Sequence, residues 1–157
     1  MDGGAEEQQG GWRDVVVKEG EWAGWTLWVG GDPFEDHCGP FYWREEPDGV
    51  RRSAFRAEHK HMNGGGFMHG GCVMTFADYC LFVIARPALQ DRSSVTATLN
   101  GEFVGTARVG DRVECVGEVV KAGRSMVFVR GLIVNASNGG DPMMSFSGVI
   151  KKTSPRG

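Results

Sequence analysis

Residues 72–85 read CVMTFADYCLFVIA, and Asp78 is the only charged side chain among them. Apolar groups occupy nearly every helical face of this run. It reads as a helix from about Gly71 to Arg86, buried all round rather than amphipathic. Pro87 is expected at or just past its end, because proline lacks the amide for the next helical hydrogen bond. A carboxylate inside such a helix is expensive and needs partners or a function. Two readings stay open: Asp78 only hydrogen-bonds a neighbouring loop, or it is a catalytic carboxylate. Thr75, three residues earlier, lies on the same face. It either supports Asp78 or bonds its own backbone.

The preceding stretch, residues 61–71, reads HMNGGGFMHGG. Gly70-Gly71 falls where the helix begins, and the first amides of a helix lack internal partners and carry positive partial charge. Glycine there removes the side chain that would hold a ligand atom away, which suits an oxyanion or a polarised carbonyl. A turn glycine needed only for its backbone conformation is the plain alternative. Asp78 follows Gly70 by eight residues, which is about 12 Å along a helix axis. One carboxylate cannot span that distance and meet the same small carbonyl. If both groups serve one reaction, they come from different copies of the helix, so a dimer with antiparallel central helices and two shared sites is expected.

Outward from this core, Phe41–Glu46 and Val50–Glu58 read as a hairpin around Pro47-Asp48-Gly49. After residue 92 the texture becomes strands, over Val95–Val104, Asp111–Val120, Ser125–Asn135 and Met143–Lys151. The last three are joined by short Gly-bearing turns and predict an antiparallel meander. The fold class is α+β, one long central helix against roughly five or six antiparallel strands. Residues 1–11 are polar and Gly-rich and are expected to be disordered. All five tryptophans (Trp12, Trp22, Trp25, Trp28 and Trp43) fall early, so residues 12–39 read as an extension packing onto the core or a partner subunit.

At 157 residues, 41% apolar and 24% charged, the chain suits one domain with a single core. A net charge of −3 gives no broad basic field, which disfavours nucleic acid as a partner. The polar start lacks a signal-peptide core, and no apolar run reaches the length of a membrane span. Cys38, Cys72, Cys80 and Cys115 include no C-x-x-C pair. They read as reduced, mostly buried thiols of a cytoplasmic protein.

The stretch from His61 to Gly71, followed by Cys72 to Asp78, resembles the hot-dog fold thioesterases, and most closely the PaaI-like branch typified by phenylacetate-pathway enzymes. The shared pattern is Asn63, Gly66 three later, His69-Gly70-Gly71, and Asp78 nine after the histidine. The resemblance spans about residues 40–153. It implies a curved antiparallel sheet wrapping one helix, homodimers often paired into homotetramers, acyl-CoA substrates and no cofactor. By position it gives Gly70 the amide that meets the thioester carbonyl. It makes Asp78 of the other subunit the general base or nucleophile, and has Asn63 position the water or carbonyl. Thr96 would assist the water, and His69 would shape the loop. Gly71 and Thr75 fall beside the substrate. The three consecutive glycines, Gly101 in a strand, and the Trp-rich extension depart from the pattern and bear on substrate preference.

Three rival readings stand beside this one. His59, His61, His69 and Cys72 carry metal-binding side chains, but no fourth ligand completes a site and none is assigned. A non-catalytic acyl-CoA-binding protein on the same fold is the alternative function. A hydratase of similar fold would need a His–acid pairing that is not evident. No G-x-S-x-G or P-loop is present. Arg108, Arg124, Lys151 and Lys152 are candidates for CoA phosphates or simply solvated charges.

Overall fold

In the computed structural model, residues 13–90 and 92–153 are described. The segment 1–11 expected to be disordered, and Trp12, lie outside them. The long helix, α2, runs Gly70–Leu89 and so passes beyond the expected end at Arg86, with Pro87 inside it. The reason is a contact from the sheet. A proline at 87 leaves the carbonyl four residues back, on Val83, without its helical donor. The guanidinium of Arg51 reaches across from the sheet and donates Nη1–H to the Val83 oxygen at 3.5 Å. The helix stops instead at Gln90, whose φ of 52° is left-handed.

Around α2 lies one antiparallel sheet of eight strands rather than five or six. They are β1 Arg13–Val16, β2 Thr26–Val29, β3 Tyr42–Glu45, β4 Arg51–Arg56, β5 Ser94–Phe103, β6 Arg112–Ala122, β7 Met126–Asn135 and β8 Asp141–Lys152. Their order is β1-β2-β3-β4-β6-β7-β8-β5. The expected hairpin is β3–β4, and the expected meander is β6–β7–β8. The two additional strands come from the Trp-rich segment, which pairs onto β3 through Thr26 and Trp43. Sequence order alone hid the place of β5: it crosses over to pair with β8 at the far edge.

The register slips between Thr96 and Thr98 in β5, Val119 and Lys121 in β6, and Ile133 and Val134 in β7. Such bulges bend and twist strands, and the helix nests against the sheet they belong to. At Gly148 in β8 an added Cβ would sit 2.7 Å from Leu81 and 2.8 Å from the Thr98 oxygen, so only glycine lets helix and sheet approach this closely.

The core is formed by Phe76, Leu81 and Val83 of α2 with Phe55, Val113, Val127, Ile133, Met143 and Ile150 of the sheet, all fully buried. Each such side chain contributes about 1.5–3 kcal/mol of burial. α2 is long and apolar enough to cross a membrane by length and composition alone. This departs from the expectation of no such run, because the helix takes in residues on both sides of the apolar stretch. Its buried faces lie against its own sheet.

Burial of α2 is not uniform, again unlike the expectation. Met74, Thr75, Asp78 and Phe82 stay half-buried along one stripe at helical spacing. Over part of it lies a short helix, α1 Pro33–Cys38, started by Pro33 and capped by the Asp32 carboxylate, which accepts from Glu35 N–H at 3.0 Å. The tryptophans anchor this segment. Trp25 is buried, Trp22 stacks on Tyr42 at 4.3 Å, and Trp28 lies 4.7 Å from Tyr79. Arg86 of α2 grips Asp14 of β1 through both carboxylate oxygens, at 3.1 and 2.6 Å.

Candidate active site

Asp78 projects from the half-buried stripe of α2, and Thr96 donates its hydroxyl to Asp78 Oδ1 at 2.6 Å. The partner is thus a strand side chain and not a loop. The β5 bulge follows Thr96 directly, the position at which an extra residue re-aims a side chain. Asp78 and Thr96 are brought together within one chain.

The helix start holds the second group. His69 is the N-cap of α2, and its Nδ1 accepts from Gly71 N–H at 2.8 Å. That bond caps the helix start and occupies the Gly71 amide. Cys72 and Val73 amides donate to the His69 carbonyl at 2.9 and 3.2 Å. Among the described residues no acceptor meets the Gly70 amide, which lies at the positive end of the helix dipole.

Asn63 organises the glycine loop. Its Oδ1 accepts from Gly65 and Phe67 amides at 2.9 and 3.2 Å, an Asx turn. This leaves the side-chain NH2 as its outward group. Thr75 donates to the Gly71 carbonyl at 2.8 Å, so of its two readings the backbone bond is the one seen. Its residue still lines the cavity beside Asp78. The Asp78–Thr96 pair and the Gly70 corner stand eight residues apart on one helix, and the chain does not fold them onto one another.

Sequence reasoning missed Glu35. Asp32-Pro33 is a helix-start signal that could have located α1, but nothing local says where α1 docks. A cavity of about 350 Å³ is lined by Asp32, Phe34, Glu35, Met74, Thr75 and Asp78. A second, of about 150 Å³, shares Asp32 and Glu35 and is walled by Trp28, Phe41 and Tyr79. Burial, then the charges of Asp32, Asp78 and Asp36, push the Glu35 carboxyl up to about 8.

His61 is buried and takes protein partners at both nitrogens. Nδ1 accepts from Glu58 N–H at 2.9 Å, so Nε2–H donates to the Cys38 carbonyl at 2.6 Å. Neither nitrogen is left for a metal. Burial, then the neighbouring Cys38, hold the Cys72 thiol up at about 12, a poor nucleophile or ligand. All four cysteines are free. Of the candidate phosphate cations, Arg108 stacks over Phe67 at 4.3 Å and Lys152 donates to the Gly123 carbonyl at 3.3 Å.

Comparison with known proteins adds a lineage. Residues 65–140 match the family model described as the thioesterase superfamily. A Pseudomonas aeruginosa protein provisionally named an esterase is 38% identical over 97 residues, which cover 61% of this chain and 72% of that one. Among solved structures, the Escherichia coli PaaI protein from the phenylacetic acid degradation operon superposes with a TM-score of 0.67 at 18% identity, covering 79% of this chain and 86% of that one. A hypothetical thioesterase of Streptococcus pneumoniae, solved with coenzyme A, gives 0.63 at 19% identity, over 74% and 88%. At these identities the structural likeness is one of fold. The helix, its enclosing sheet and the relatives agree: the chain has the hot-dog fold and belongs to the thioesterase superfamily.

Proposed function

We propose that the protein hydrolyses acyl-CoA thioesters to a carboxylic acid and free CoA, at a site shared between two copies of the chain. The observation that carries the reading is the 2.6 Å Thr96–Asp78 hydrogen bond on a helix stripe that its own chain leaves half-buried beside a cavity. A carboxylate held by one hydroxyl donor keeps an oxygen free to take a proton from water or to attack carbon directly. The Gly70 amide of the second copy donates to the thioester oxygen as it gains charge. Pairing of two α2 stripes, antiparallel, covers Met74 and Phe82 and brings each Asp78 toward the other copy's helix start. In this reading the Asn63 NH2 orients the water or the carbonyl. The reading takes the compartment to be the cytoplasm, in keeping with the four free thiols, and its steps call on no cofactor or metal.

The test is Asp78→Asn, assayed by thiol release over a panel of alkyl and aryl acyl-CoAs. A fall in kcat of roughly 100-fold or more, with the fold retained, is the expected outcome. Turnover like that of the parent protein removes Asp78 from the reaction.

A further inference from the structure

We propose that Glu35 is a second working carboxyl of the Asp78 site, the proton donor to the departing thiolate. The inference rests on the hydrolase reading above and adds a residue from outside the matched region 65–140.

Three observations support it. Glu35 and Asp78 face one cavity, from α1 and α2 respectively, with Phe34 and Met74 as its apolar walls. Among the described residues no hydrogen-bond donor meets the Glu35 carboxyl, although its backbone amide is tied to Asp32. The groups facing it are acidic or neutral: Asp32 and Asp36 from its own turn, and Asp78, Tyr79 and Cys80 from α2. The basic group of α1 itself, His37, sits in its last turn, and Lys60 of the 59–61 turn is engaged at that same end by the His37 and Gly39 carbonyls. A carboxyl in this setting, pushed up to about 8, keeps its proton near neutral pH. A carboxyl that keeps its proton, facing across one cavity a second carboxyl held by a hydroxyl donor, is suited to act as the acid of the pair.

The steps balance. Asp78 takes a proton from water as the new C–O bond forms. Collapse of the tetrahedral intermediate breaks the C–S bond, and the sulfur receives the Glu35 proton. Asp78, now protonated, returns its proton to the Glu35 carboxylate across the shared cavity. One water is consumed, and one acid and one thiol are released.

The experiment compares the parent protein with Glu35→Gln and Glu35→Asp, on one acyl group carried by CoA and by thiophenol. A thiophenolate is a stable leaving group and needs a proton donor least. The parent is expected to lose kcat as pH rises through about 8. Glu35→Gln should lose that alkaline limb, and its rate loss on the CoA ester should exceed that on the thiophenyl ester by roughly 10-fold or more. Equal losses on both esters, or an alkaline limb unchanged in Glu35→Gln, overturn the proposal. Absence of that limb from the parent overturns it whether or not the variants fold. A parent protein inactive on every thioester, with Asp78→Asn indistinguishable from it, instead removes the hydrolase reading itself.

Discussion

Gly70 occupies the first helical position of α2, behind a His69 with φ −63° and ψ 132°. That extended conformation is the one a residue adopts before proline, and the first helical position is where proline fits. Gly70→Pro therefore deletes a single N–H while leaving the helix start its geometry. Gly70→Ala keeps the N–H and sets its Cβ 3.4 Å from Phe103, an ordinary contact. Under the proposed chemistry the proline variant loses roughly 100- to 1000-fold in kcat, while the alanine variant stays within a few-fold of the parent. Equal thiol release by the two would show that the amide meets no oxyanion. Asp78 was legible because one charge stood in an apolar run. Its Thr96 partner was reachable only through resemblance, since 18 residues and a change of element separate them. Glu35 gave no signal of its own, because its cavity exists only after α1 docks on α2.

Among elements, α2 was legible almost to its ends, and its last turn was not. A proline ends a helix unless something replaces the missing donor. Here the replacement, Arg51, comes from a strand more than thirty residues away in sequence. The β3–β4 hairpin and the β6–β7–β8 meander were legible from their turns, as local features are. The position of β5 beside β8 was not, because pairing across the sheet is set by how strands wrap the helix. The closeness of that wrap is testable at Gly148. Gly148→Ala forces a Cβ within 2.8 Å of the Thr98 backbone oxygen and against Leu81. It should destabilise the protein by about 1–3 kcal/mol, read as a lower urea midpoint at unchanged slope. An unchanged midpoint would mean that sheet and helix separate more readily than this packing implies.

For the whole molecule, the proposed pairing makes a prediction that no single chain can satisfy. Co-refolding Asp78→Asn with Gly70→Pro creates mixed pairs. One of their two sites then draws its carboxylate from the Gly70→Pro chain and its amide from the Asp78→Asn chain. Each variant alone should be nearly inactive, while the mixture should recover up to about a quarter of parental turnover: half the pairs are mixed at random, and half their sites intact. Failure to recover, with pairs shown to exchange by mass, would place both groups in one chain or neither in the reaction. Such a composite site was inferred from the rise of a helix alone, because eight residues cover too much distance for one small carbonyl.

The early clustering of tryptophan has an optical consequence. Every indole lies at or before Trp43, so α2 and β4 through β8 contain none. Indole fluorescence is therefore weighted toward how the early strands seat against the core, whereas amide dichroism averages over the entire backbone. Disagreement between the two signals on heating would therefore time the undocking of the early segment separately from melting of the rest.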